Sequence, residues 1–206
     1  MVDEQIERRG VKDQKVLSAM RSVPRHEFVP ADQVRHAYED RPLPIGENQT
    51  ISQPYIVALM TELLDLEGVE KVLEVGTGSG YQAAVLAEIV PEVYTIEILK
   101  TLLDEARQRF VRLCYRNIHT RNADAYNGWP EEAPFDRIVV TAASKKVPEP
   151  LTMQLIEGGR LVMPVGKFYQ ELIVLEKRDG LERRRVISVR FVPMTGLAEE
   201  IEDNEE

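Results

Sequence analysis

Cysteine is nearly missing from this chain. Cys114 is the only one in 206 residues, which excludes an internal disulfide and any zinc cluster built on thiolates. Long apolar runs are missing too, since no stretch reaches the roughly 18 residues that a membrane-spanning helix needs. The opening MVDEQIERRG is charged and leads into no apolar segment, so no secretory signal is visible. Ser- or Gly-rich linkers and internal repeats are also lacking. Positive charge is scarce: 26 Lys and Arg stand against 35 Asp and Glu, a net charge of −9. That balance argues against a nucleic-acid binder, which presents a basic face. Six of the acidic charges (Glu199, Glu200, Glu202, Asp203, Glu205 and Glu206) fall in the last eight residues, and setting them aside leaves −3 for the rest. We expect residues 199–206 to be a solvated tail. Together these absences lead us to expect a soluble cytoplasmic protein with neither nucleic-acid nor membrane partners.

What is present is globular: 43% hydrophobic and 30% charged residues, in a length that suits one domain. Over residues 1–23 the apolar positions Ile6, Val11, Val16, Leu17 and Met20 follow a loose helical spacing, which Gly10 splits into two short helices. Residues 24–53 are rich in Pro, Gly and Asn and show no clear period, a length of loop that is uncommon unless functional. Pro54 then opens a helix, YIVALMTELLDL. From residue 70 strands and helices alternate. Strands are predicted at 71–75, 93–98, 117–123, 135–143 and 159–165, with helices at 81–90, 99–113 and 150–157 between them. Two further β-rich runs, 171–178 and 184–192, flank Asp179-Gly180, a strong hairpin signal. The pattern predicts an α/β fold: a doubly wound, mostly parallel sheet of seven strands with an N-terminal helical extension over 1–53, a sheet core over 54–198, and ligands at the carboxyl ends of the strands.

The first of these strands runs into LEVGTGSGYQAA. Glycines at 76, 78 and 80 let the backbone turn and approach a ligand closely. A dinucleotide fingerprint would require glycine at position 81, where Tyr81 stands instead. Glu74 is also unusual for that class, because the strand is otherwise apolar there. An acid at this point suits a cationic ligand such as an α-amino group. Glu97 ends the next strand, 21 residues after Gly76, where a carboxylate can accept from both ribose hydroxyls. Asp124 follows the third strand and fits either of two roles, facing an adenine amino group or capping a turn. As a set, these residues resemble the S-adenosylmethionine site of the seven-stranded methyltransferases.

Base-methylating relatives carry an N/D-P-P-Y/F motif after the fourth strand. This chain has VVTAASKKVPEP there, and His26, His36 and His119 are scattered. No general base is evident. A carboxylate acceptor fits that absence, being ionised already at neutral pH with a pKa of about 4. Such an acceptor needs positioning and donors rather than deprotonation. Thr50 and Ser52 supply hydroxyls and Gln49 and Gln53 supply amides, although Ser52 or Thr50 also suits the cap of the helix at Pro54.

Six segments carry a closer resemblance: RHEFVP (25–30), GENQTISQP (46–54), VLEVGTGSGYQAAVLA (72–87), GWPEEAPFDRIVVTAA (128–143), QLIEGGRLVMPVG (154–166) and FVPMTG (191–196). Through them the chain resembles the protein-L-isoaspartate (D-aspartate) O-methyltransferases over nearly its whole length. The resemblance implies a monomeric, metal-free transferase that uses S-adenosyl-L-methionine to methylate L-isoaspartyl or D-aspartyl residues in damaged proteins and peptides. It implies Ser52 as the active-site serine, flanked by Thr50 and Ile51, which shape both the cofactor and substrate sites. It implies Glu74, Gly76, Thr77, Gly78 and Ser79 as the cofactor loop, Glu97 and Ile98 at the ribose, and Asp124 and Ala125 near adenine. Thr195 would help close the pocket, and Val192 and Pro193 would border the substrate. The family's frequent Gly-Asp-Gly is Ala123-Asp124-Ala125 here. The rival readings are a small-molecule carboxylate or hydroxyl O-methyltransferase, a non-catalytic cofactor-binding module, and a nicotinamide dehydrogenase.

Overall fold

Two short helical turns, Val2–Ile6 and Glu7–Arg9, open the chain and end at Gly10. Helix α1 (Gln14–Ser22) starts where the Asp13 side chain accepts from the backbone N–H groups of Lys15 and Val16, satisfying donors that a helix start leaves open. The stretch predicted to lack a period is partly ordered as a hairpin. Strand β1 (Leu43–Gly46) pairs antiparallel with β2 (Gln49–Ile51), joined by Glu47 and Asn48, both at positive φ. That is the backbone a two-residue hairpin turn requires. Strands of four and three residues are too short to show an alternation in the sequence. Helix α2 (Pro54–Leu63) follows, with proline in its first turn.

The alternating segments come next: β3 (Lys71–Val75), α3 (Tyr81–Ala87), β4 (Glu92–Glu97), α4 (Lys100–Arg112), β5 (Ile118–Asn122), β6 (Phe135–Val140), α5 (Glu149–Met153), β7 (Leu155–Val165), β8 (Gln170–Lys177) and β9 (Leu181–Val189). They form a seven-stranded sheet in the order β5-β4-β3-β6-β7-β8-β9. The pairings from β5 to β7 are parallel, and β8 and β9 are antiparallel. This is the mostly parallel sheet with an edge hairpin that the sequence predicts. The structure, a computed structural model, describes residues 1–199. All of the predicted acidic tail except Glu199 lies outside the described residues.

Several boundaries differ from expectation by up to four residues, among them the ends of α2, α3 and β6, and two of the differences bear on the site. The helix predicted over 150–157 stops at Met153, because Leu155 pairs with Phe135 and starts β7 early. The last strand ends at Val189 rather than residue 192. The Asp179-Gly180 turn pairs Lys177 with Leu181 and so sets its register. Arg190–Pro193 are thereby released to cross toward β6, where Pro193 meets Ala143.

Strand alternation sorts side chains onto the two faces of the sheet. Val72, Val139 and Val162 join one core with α1, α2 and the N-terminal turns, while Leu73, Ile138, Val140 and Leu161 join the other with Leu151 of α5. Each such fully buried aliphatic side chain contributes roughly 1.5–3 kcal/mol. The chain order reverses around β3, with β4 on one side and β6 on the other, which leaves a crevice at their carboxyl ends.

Candidate active site

The loop leaving β3 is held by β4: the N–H groups of Gly76 and Thr77 donate to the Ile96 carbonyl at 2.9 and 3.1 Å. Gly76 has φ +97°, and a Cβ there would come within 2.5 Å of Thr141 Oγ1. Gly80 has φ +88°, and a Cβ would meet the Phe110 ring at 2.7 Å. Both positions therefore require glycine. Together with β2 and the segment after β9, this loop lines a cavity. The walls carry Thr50, Ile51 and Ser52 from β2 and the residues after it. Glu74, Gly76, Thr77, Gly78 and Ser79 come from β3 and its loop, and Glu97 and Ile98 from the end of β4. Ala125, Val192, Pro193 and Thr195 complete the predicted set, and of that set only Asp124 stands back from the cavity.

Glu74 is fully buried. The β3–β4 register sets it beside Thr95, whose hydroxyl donates to Glu74 Oε2 at 2.5 Å. The other oxygen, Oε1, is buried without a hydrogen-bond partner among the described residues. Burial, joined by the charge of nearby Glu97 and opposed by the Thr95 hydrogen bond, pushes the Glu74 carboxyl up to about 8. An orphaned oxygen of this kind is costly unless a ligand donor meets it, so the site fits a ligand with a cationic amino group. Glu97 is also buried, and its two oxygens accept from Gly78 N at 2.8 Å and Leu99 N at 2.9 Å. A carboxylate has about four acceptor sites, so lone pairs remain for two hydroxyls.

Asp124 caps the turn Ala125–Asn127 through Tyr126 N at 2.9 Å, and its second oxygen accepts from Leu197 N at 2.7 Å. It thus pins the segment that carries Thr195. Neither Ala123 nor Ala125 is at positive φ, so alanine in place of the family's glycines costs no backbone strain.

The N-cap residue of α2, Gln53, makes no cap bond with its own side chain. Asp40 instead accepts from Tyr55 N at 3.1 Å, and the hydroxyls of Thr50 and Ser52 have no hydrogen-bond partner among the described residues. A wider cleft also borders them. Five residues line both spaces: Thr50, Ser52, Thr141, Val192 and Pro193. Sequence reasoning assigned no role to Thr141 or to Arg25. The Thr141 hydroxyl lies 2.6 Å from the Gly76 carbonyl, and its place at the end of VVTAA was the available signal. Arg25 is wholly buried; it donates to the Ala37 carbonyl at 2.7 Å and the Ser52 carbonyl at 2.8 Å, with its guanidinium 4.8 Å from the Tyr81 ring centroid. Burial draws its pKa down to about 10. His26, His36 and His119 contact Tyr38, Glu39 and Glu92, and line neither space. Among the described residues no cluster suits a metal ion.

The family model described as Protein-L-isoaspartate(D-aspartate) O-methyltransferase (PCMT) matches residues 1–199. Protein-L-isoaspartate O-methyltransferase 2 of Polaromonas sp. (strain JS666 / ATCC BAA-500) is 57% identical over 188 residues, covering 89% of each chain. A solved structure named protein-L-isoaspartate O-methyltransferase superposes with a TM-score of 0.90 at 31% identity, covering 100% of this chain and 69% of that one. A Plasmodium falciparum protein, described as a protein-L-isoaspartate O-methyltransferase and crystallised with S-adenosyl-L-homocysteine, gives 0.84 at 27% identity, covering 94% and 96%. This chain belongs to the protein-L-isoaspartate (D-aspartate) O-methyltransferase family.

Proposed function

We propose that this chain methylates the free carboxylate of L-isoaspartyl and D-aspartyl residues in damaged proteins and peptides, using S-adenosyl-L-methionine. The observation that carries the reading is the wall between the two spaces. There the unpartnered hydroxyls of Ser52 and Thr50 separate the cavity containing Glu74 from the wide outer cleft. When bound, S-adenosyl-L-methionine supplies an electrophilic methyl group on a sulfonium. Glu74 would hold its amino group, Glu97 its ribose hydroxyls, and the backbone of the Gly76–Ser79 loop would approach it closely. Ile98, Ala125 and Thr195 close around the rest, and Asp124 fixes that closure by holding Leu197.

Ser52 donates to the acceptor carboxylate, Thr50 and Ile51 shape its seat, and Val192 and Pro193 border the substrate backbone. The carboxylate is ionised at neutral pH, with a pKa of about 4, so the residues orient it rather than deprotonate it. A wall without histidine suits that task. The resulting ester closes to a succinimide without help from the protein, which begins repair. The enzyme is a monomer in this reading, and the 1–53 extension supplies Thr50, Ile51 and Ser52 to the site built on the sheet core. The single cysteine supports a cytoplasmic setting, and the acidic balance supports polypeptide rather than nucleic-acid partners.

Labelled-methyl transfer to an isoaspartyl peptide and to its ordinary aspartyl twin tests this. Base-labile label is expected on the isoaspartyl peptide alone. Transfer to neither peptide, or equally to both, overturns the reading.

A further inference from the structure

The outer cleft is lined by charge of one sign. Arg9 and Arg190 line it, and no aspartate or glutamate does among the described residues. Arg9 is already engaged: it pairs with Asp40, and its guanidinium stands 3.5 Å from the centroid of the Tyr55 ring. Arg190 is exposed, and its side chain has no hydrogen-bond or ion-pair partner among the described residues. An uncompensated cation at the mouth of a cleft runs against a net charge of −9. Its backbone is held on both sides, by β9 before it and by a side-chain clamp after it. The Gln170 amide accepts from Phe191 N at 2.6 Å and donates to the Phe191 carbonyl at 3.2 Å. Ala143 N donates to the Val192 carbonyl at 2.9 Å.

Arg190 lines only the outer cleft, whereas Val192 borders both spaces. Two extended residues span about 7 Å, which is also the span of two residues in a substrate chain lying alongside. The reacting carboxylate belongs at the shared wall beside Ser52 and is therefore out of register with Arg190. We propose that Arg190 determines specificity by taking a second carboxylate, on a substrate residue one or two positions from the isoaspartyl residue. Acidic flanking residues thus favour methylation. This rests on the function proposed above.

The test uses isoaspartyl peptides that differ only in Glu, Gln or Lys at one or two positions on either side, assayed at low ionic strength. At the responsive position the Glu peptide is expected to exceed the Gln peptide in kcat/KM by about two- to five-fold, the range of an exposed ion pair. The Lys peptide should fall below both, with the difference residing in KM and shrinking as salt is added. Arg190→Gln should erase the Glu advantage, and Arg190→Glu should transfer it to the Lys peptide. These ratios are internal to each variant, so a partial loss of folded enzyme does not move them. The same charge series in wild type and Arg190→Gln would overturn the inference and leave the proposed function standing. No methylation of any isoaspartyl peptide by the wild type would overturn that function and this inference with it.

Discussion

Glu74 and Thr95 sit side by side on β3 and β4, and the Thr95 hydroxyl spends its only proton on Glu74 Oε2. The Thr77 hydroxyl, 2.6 Å from Thr95 Oγ1, is therefore the donor in that second contact. Three side chains form a directed relay from the glycine loop to the acid, and it ends one oxygen short of satisfying Glu74. The sheet buries a proton-binding group, and a cationic ligand beside it would favour its ionised form.

That burial ties stability to pH with a definite sign. The folded Glu74 carboxyl titrates at about 8, against 4.5 for the unperturbed group. Stability from the neutral form is fully present below the lower value and is lost as pH rises through the higher one. Glu74→Gln keeps the neutral form at every pH. Without cofactor, the variant is expected to melt above wild type by several degrees near pH 8, at about 2–4 °C per kcal/mol for a chain of this size. The two melting curves should converge toward about pH 5. Melts across this range decide it, and a pH-independent gap would show that Glu74 does not titrate there.

Cofactor binding should release a proton. A cationic amino group beside Glu74 favours its ionised form, so below about pH 8 binding expels a proton that the free protein held. Calorimetry near pH 7 in two buffers of different ionisation enthalpy should give binding heats that differ in proportion, with up to about one proton released. Equal heats in both buffers would remove Glu74 as the partner of the amino group.

Ser52→Ala should lower turnover by about ten- to a hundred-fold, the worth of one hydrogen bond to a charged group. Because the Ser52 hydroxyl has no described partner and does not cap α2, the melting temperature and cofactor affinity should stay close to wild type. Single-turnover methylation alongside calorimetry measures both. A melting loss of several degrees would mean that the hydroxyl is structural.

Much of the site was legible in the sequence because its physics is local. Glycines at 76 and 80 answer to contacts that a Cβ would occupy, and Glu74 stands out as an acid in an apolar strand. The alternation of strands with helices from residue 70 onward made the two-faced sheet visible as well. Arg25 was not legible as a support of Ser52. Its acceptors are backbone carbonyls 12 and 27 residues away, and no side-chain pattern marks a carbonyl. Asp124 remained double-valued for a similar reason: Leu197 N, 73 residues on, is a backbone group. The early start of β7 escaped because residues 154–157, Gln-Leu-Ile-Glu, are too few to show a helical or a strand period, and pairing with Phe135 decided between them.

Glu97 joins two functions in one side chain, and its removal should separate them. Its oxygens hold Gly78 N and Leu99 N, so Glu97→Ala loosens the glycine loop and the start of α4 as well as losing contacts to ligand hydroxyls. Cofactor affinity is expected to fall by about 1–3 kcal/mol, the cost of leaving polar partners unmet. Glu97→Gln keeps one acceptor oxygen, which can serve one of the two backbone donors, so it should retain more stability than alanine while still losing affinity. Its loss of negative charge also relieves the repulsion that helps raise Glu74, which moves the Glu74 transition to lower pH in both variants. Isothermal titration with pH-dependent melts reads all three effects. Unchanged affinity in both variants would dismiss Glu97 as a ligand contact, whatever happened to the fold.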